Sequence, residues 1–251
     1  MRVMTYNIQL GISEGLEPIA EIIAGQDPDI VALQEVGKHW TMGPEGDSTT
    51  FLAEHVGLDH SHYVTTIERE ENRRYGHALL SRWPIESPRV ARFTRREDEP
   101  RAALIARMTP PSRDPIRVIS THLSHKEDER AIHGRELVEL TERILAYGEP
   151  TLLLGDLNEE MDATWLRTLG ARMVDAGGIN GAKTFENPEP TERIDYVLVR
   201  GAEVTKARVL EEPTASDHRP LVVELDLDER ADAAHRTDQP SAAAPREDDP
   251  S

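Results

Sequence analysis

The chain has 251 residues, 37% of them hydrophobic, enough to bury one sizeable core, and sheet-rich α/β domains of this size are often undivided. The absence of cysteine excludes a disulfide framework and a Cys-ligated zinc site, and leaves His, Asp, Glu and Asn as the available metal ligands. With 47 acidic against 29 basic residues the net charge is −18, which opposes a sequence-independent grip on duplex DNA.

The opening MRVMTYNIQL predicts a strand over Arg2 to Ile8. Its apolar run is interrupted by Thr5, Asn7 and Gln9, unlike a signal peptide, and no run in the chain is long enough to span a bilayer as a transmembrane segment; a cytoplasmic location is expected by default. Leu16, Ile19, Ile22 and Ile23 recur at helical spacing, and Ile30 to Leu33 reads as a second strand ending in Gln34 and Glu35, so the chain starts β-α-β. The Gly- and Pro-bearing stretch Thr41 to Thr50 reads as a loop. Further strands are expected over Tyr63 to Ile67, His77 to Leu80, Ala102 to Met108 and Ile116 to Thr121. Glu127 to Tyr147 reads as the longest helix, with Leu137, Leu140 and Ile144 on one stripe. Strands follow over Thr151 to Leu154, Ile194 to Val199, Glu203 to Val209 and Leu221 to Leu225, with a turn-rich loop over Gly177 to Thr191. The alternation stops near residue 227. Residues 228–251 are rich in Ala, Pro and acidic residues with little to bury, and are expected to form a disordered tail after a domain over 1–227.

The chemistry gathers where apolar runs end. Val31, Ala32 and Leu33 deliver Glu35 to a sheet rim, where a carboxylate can meet a metal ion; Asn7 follows the first strand in the same way. In LLLGDLN, Asp156 and Asn158 are two apart and would share a face if the backbone stays extended, pairing a carboxylate that takes a proton from water with an amide that holds phosphate or water; taken alone, the cluster fits an Asp/Asn turn after a strand equally well. Gly155 before them permits a tight turn or a close substrate approach. His122 ends another strand, with His125 shortly after it as a possible decoy. SDHRPL sets Asp217 beside His218, and Pro220 biases Arg219 to an extended backbone. Asp195 lies in an apolar strand and needs a partner if buried: His218 is the natural one, a salt bridge to Arg193 the alternative. His55, His60 and His62 in HVGLDHSHY fit either a zinc site or surface histidines. Arg69, Arg73 and Arg74, and Arg92, Arg95, Arg96 and Arg101, form two local basic stretches that could steer an anion.

In this order, and with the further stretch RRYGHALLSRWPI at Arg73 to Ile85, these motifs resemble the endonuclease/exonuclease/phosphatase superfamily, the fold shared by DNase I, apurinic endonucleases, inositol-polyphosphate 5-phosphatases, neutral sphingomyelinases and deadenylases. The resemblance runs from Met4 to about Pro220. It implies an α/β fold of the DNase I-like kind, a four-layer αββα sandwich of two mixed sheets with the site at one end. It further implies a Mg²⁺-dependent phosphoester hydrolase, phosphodiesterase or phosphatase, with Mn²⁺ as a substitute ion. Asn7, Glu35 and Asp217 would lie at the metal, Glu35 as principal ligand; His122 would contact phosphate, Asp156 and Asn158 would position and activate water, and His218 would be the catalytic imidazole with Asp195 behind it. Nuclease and DNA-repair activities belong to the same family. The charge favours a small-molecule or single-stranded nucleic-acid phosphoester over duplex DNA, acted on by a monomer. One departure is that an Arg-x-x-Gln element of some relatives is half matched here, Arg130 being followed by His133.

Overall fold

The computed structural model describes residues 1–179, 181–211 and 214–227; the expected tail lies outside the described residues. The strands are β1 (Arg2–Asn7), β2 (Ile30–Lys38), β3 (His60–Glu68), β4 (Arg74–Ser81), β5 (Glu86–Arg92), β6 (Ala102–Met108), β7 (Ile116–His122), β8 (Thr151–Asp156), β9 (Val174–Asp175), β10 (Asp195–Arg200), β11 (Glu203–Val209) and β12 (Leu221–Asp226). The helices are α1 (Glu17–Ala24), α2 (Ser48–Val56), α3 (Glu127–Leu145) and α4 (Thr164–Gly170). The strands form two mixed sheets, in the orders β11-β12-β1-β2-β4-β3 and β5-β6-β7-β8-β10-β9.

Alternation along each strand builds four layers. Val3, Ile30, Ala32 and Leu79 of the first sheet meet Leu104, Val118, Leu152, Leu154 and Val197 of the second, forming the layer between the sheets. The opposite pleats of the first sheet, Met4, Val31 and Leu33, pack on Ile19 and Ile23 of α1 and Leu52 of α2. Ile119, Leu153 and Leu198 of the second pack on Leu137 and Ile144 of α3 and Trp165 and Leu166 of α4. Each fully buried Leu or Ile of this kind contributes about 1.5–3 kcal/mol.

Topology decides where the polar strand ends meet. β1 runs parallel to β2, with Asn7 opposite Gln34, and β7 parallel to β8, with His122 opposite Asp156, so each pair finishes on one rim. Antiparallel neighbours must begin at the rim where these strands end. Asp195 at the start of β10 therefore lies opposite Asp156, and Ala102 at the start of β6 lies opposite His122, bringing the preceding Arg101 with it. β4 begins beside the end of β2, and His218 precedes β12, which pairs with β1.

The Thr41 to Thr50 loop is shorter than expected. Asp47 caps α2 by accepting hydrogen bonds from the amides of Thr49 (3.1 Å) and Thr50 (3.3 Å), which draws Ser48, Thr49 and Thr50 into the helix. Strand β5, whose residues are largely exposed, has too few apolar residues to read as a strand. Among the described residues, no helix is long and apolar enough to cross a membrane.

Candidate active site

Regular alternation would send Gln34 and Glu35 to opposite faces of β2. The register instead passes from Leu33 opposite Ala78 to Val36 opposite Gly76, so two residues oppose His77 in a β-bulge, and Glu35 has φ 52°. Both side chains consequently turn toward the inter-sheet side: Gln34 Oε1 accepts from the Thr5 hydroxyl (3.3 Å), and Glu35 Oε1 accepts from Asn7 Nδ2 (3.2 Å).

Asn7 is the bridge of the cluster. Its Nδ2 also donates to Asp156 Oδ2 (3.0 Å) and lies 3.4 Å from His218 Nε2, while its Oδ1 accepts from the Gln9 amide (3.1 Å). The amide nitrogen of Asn7 thus faces both carboxylates, and its oxygen faces the Gln9 backbone. Gln9 Nε2 donates to Asp217 Oδ2 (2.7 Å), tying Asp217 to the same loop.

Asp156 and Asn158 converge by a turn, not by the shared pleat expected of extended backbone. Strand β8 stops at Asp156, Asn158 takes φ 53°, and its amide donates to Asp156 Oδ1 (2.9 Å). Asn158 Nδ2 then reaches His122 Nε2 (3.2 Å) and the Leu123 carbonyl (3.1 Å). Gly155 answers to a neighbouring strand: a Cβ there would lie 2.0 Å from the Thr121 carbonyl oxygen of β7.

His218 Nδ1 is 2.8 Å from Asp195 Oδ2, both residues being buried, and Arg193 forms its ion pair with Asp175 (2.7 Å). That geometry decides the partner of Asp195. Thr184 Oγ1 accepts from the Asp195 amide (3.3 Å), and the Phe185 ring lies 4.7 Å from the His218 ring, closing that side from water. Asp156 Oδ2 stands between two imidazoles, 3.4 Å from His122 Nε2 and 3.6 Å from His218 Nε2.

Burial and charge set the protonation states. Burial drives the Asp156 carboxyl up to about 7, with Asp195 adding and His218 and Asn7 opposing. Burial alone would lower His218, but the Asp195, Asp156 and Asp217 carboxylates outweigh it and raise the imidazole to about 10. His122 is held well below its ordinary value by burial and by Arg101 and His218. Glu35 and Asp217 are both raised, first by burial, and Glu35 additionally by the charge of Asp217.

Two groups were not singled out for this rim by sequence reasoning. Arg101, read only as part of a steering stretch, is 5% exposed and acts electrostatically on Glu35, His122 and His77. His77 points between the sheets, buried, with Nε2 lacking a hydrogen-bond partner among the described residues; burial and Arg101 lower it to about 3. Counting pleats back from Leu79 places His77 inward, a signal available in the sequence. Other residues stand apart. His125 is exposed beside Asp98 (3.4 Å), and His55 Nδ1 lies 2.8 Å from the Phe51 carbonyl. Among the described residues the metal-type donors grouped within 4.8 Å are Asp156, Asp195 and His218, not the histidines of HVGLDHSHY.

On the other side of Asn7, Glu35 and Asp217 offer carboxylate oxygens of the kind a hard cation takes.

The sequence pattern described as the Endonuclease/Exonuclease/phosphatase family matches residues 4–218, the stretch that contains every residue of this rim. The chain belongs to this family. It is a phosphoester hydrolase of that family, with the DNase I-like sandwich. YbhP of Escherichia coli K12, an uncharacterized protein, is 28% identical over 254 residues, covering 90% of this chain and 96% of its own. An endonuclease/exonuclease/phosphatase from Beutenbergia cavernae superposes with a TM-score of 0.75 at 24% identity, over 90% of this chain and 71% of that one. The mannosyl-6-phosphatase Bt3783 of Bacteroides thetaiotaomicron does so with a TM-score of 0.71 at 18% identity, over 90% and 99%.

Proposed function

We propose that the chain hydrolyses a small-molecule or single-stranded phosphoester with Mg²⁺, Mn²⁺ serving as a substitute. The observation that carries this reading is the placement of Asp156: a buried carboxyl poised near neutral pH, accepting from Asn7, flanked by a neutral and a cationic imidazole. Asp156 takes a proton from the attacking water, since a base is most effective when its pKa lies near the working pH. Asn158 and neutral His122 hold phosphoryl oxygens, with the Arg101 guanidinium as a further contact; the His218 cation, kept charged by Asp195, stabilises negative charge as it builds.

Glu35 and Asp217 would hold the divalent cation, with Asn7 linking Glu35 to Asp156. When bound, such an ion supplies polarisation of a phosphoryl oxygen and neutralises its charge. The preference for a small or single-stranded ester rests on the net charge of −18, and a sugar phosphatase among the structural neighbours agrees with it. Turnover of a panel of phosphomonoesters, phosphodiesters, single-stranded oligonucleotide and duplex DNA, each with Mg²⁺, Mn²⁺ or EDTA, tests the reading. Preferred cleavage of duplex DNA would replace it with a nuclease or DNA-repair assignment, and undiminished turnover in EDTA would remove the metal.

A further inference from the structure

The segment Thr94 to Arg101 joins β5 to β6 and ends on the buried guanidinium, yet it contains no regular structure of its own. Helix α3 supplies what holds it. Glu129 Oε1 accepts from the Arg96 amide, and Oε2 from the amides of Glu97 and Asp98, each at 3.1 Å. His133 Nε2 donates to the Thr94 carbonyl (2.8 Å), and its ring stacks on Phe93 with centroids 5.2 Å apart. Glu136 accepts from the Thr94 amide (3.0 Å) and the Thr94 hydroxyl. Residues 129, 133 and 136 are four and three apart, so one face of the helix presents all three.

Two of the three are buried where a helix of this composition ordinarily shows solvated charge: Glu129 is 3% exposed and His133 0%. A buried carboxylate is costly unless it is satisfied, and three consecutive backbone amides satisfy this one, fixing the loop conformation. At the loop's far end Asp98 accepts from Ser124 Oγ, two residues beyond His122, so the segment is fastened on both sides of the site.

We propose that Glu129, assisted by His133 and Glu136, is a positioning residue that latches the Thr94 to Arg101 segment and thereby holds the Arg101 guanidinium where the phosphoryl group of the substrate binds. The inference rests on the reading of Arg101 as a phosphoryl contact. It gives the half-matched Arg-x-x-Gln element a structural role, because the His133 ring nitrogen bonds the loop carbonyl.

The test uses the full chain with Mg²⁺, a p-nitrophenyl phosphoester substrate and inorganic phosphate as inhibitor. Glu129→Gln should raise both KM and the inhibition constant for phosphate by about tenfold, with a smaller change in kcat, since misplaced binding groups weaken positioning. Arg101→Ala should raise the inhibition constant at least as much, and adding Glu129→Gln to it should have no further effect on that constant. If Glu129→Gln does not fold, Glu136→Ala, which removes the bonds to Thr94, carries the same comparison. An unchanged inhibition constant in folded Glu129→Gln, or losses that add in the double variant, would overturn the latch while leaving Arg101 as a contact. An unchanged constant in Arg101→Ala would overturn both.

Discussion

Nδ1 of His218 lies 2.8 Å from Oδ2 of Asp195, with both side chains buried and the remaining Asp195 oxygen without a hydrogen-bond partner among the described residues. An imidazole so placed is fixed in ring orientation, and its charge is the compensation available to a buried carboxylate. The contact lies at the meeting point of two sheets, because β10 starts at the rim and His218 closes the loop before β12.

Removing either member should therefore disable the same unit. Asp195→Asn retains volume and hydrogen bonding but loses the charge, and a loss of activity on the order of 10²-fold is expected, the scale for positioned charged groups. His218→Ala should lose a similar amount, and the double variant little more, because residues acting as a unit are not additive. Additive losses in steady-state kinetics would show that Asp195 serves another purpose.

Metal dependence should run through Glu35. Its bulge aims a carboxylate at the rim, where the charge of Asp217 raises it. Glu35→Gln should weaken Mg²⁺ binding measured by calorimetry and lower turnover, with the melting temperature in EDTA unchanged or raised, since a buried charge with a like-charged neighbour is removed. Wild-type Mg²⁺ affinity in the variant would exclude Glu35 as a ligand.

Much of this rim was legible because a strand that ends in a polar residue shows it as a break in an apolar run: Asn7, Glu35, His122 and Asp156 all announced themselves this way. What could not be read was geometry that depends on neighbours. The bulge at Glu35 exists only in the pairing with β4, whereas the turn at Asn158 is one of the two readings that the Asp-Leu-Asn sequence offers, and the structure selects it. Asn7 reads in sequence as a polar strand end, but its partners Gln9, Glu35 and Asp156 are set by the fold. Glu129, His133 and Glu136 look like an ordinary solvated helix face until the loop from the adjoining β5 edge covers them.

The His218 pair also predicts how stability varies with pH in the absence of metal. The imidazole binds its proton more tightly folded, at about 10, than unfolded, near 6.5, so its stabilising contribution is complete below pH 6.5 and is lost as pH rises toward 10. The melting temperature of wild type relative to His218→Ala, both in EDTA, should fall steadily across that window. A difference independent of pH between 6.5 and 10 would mean that the folded imidazole is not held cationic.

Gly155 provides a prediction that separates packing from conformational preference. Its φ is 153°, outside the range L side chains favour, and an added Cβ would lie 2.0 Å from the Thr121 carbonyl oxygen, a backbone atom of the paired strand that cannot rotate away. Gly155→Ala should cost about 2 kcal/mol or more of stability by denaturant titration, in the class of overpacked buried sites, and should reduce activity by shifting the adjacent Asp156. Gly148 is the control: φ is 74°, but nothing lies within 4 Å of its added Cβ. Gly148→Ala should cost only the left-handed backbone preference, about 1 kcal/mol, and leave turnover intact. Equal costs at the two positions would show that backbone preference, and not the close approach of β7, is why glycine precedes Asp156.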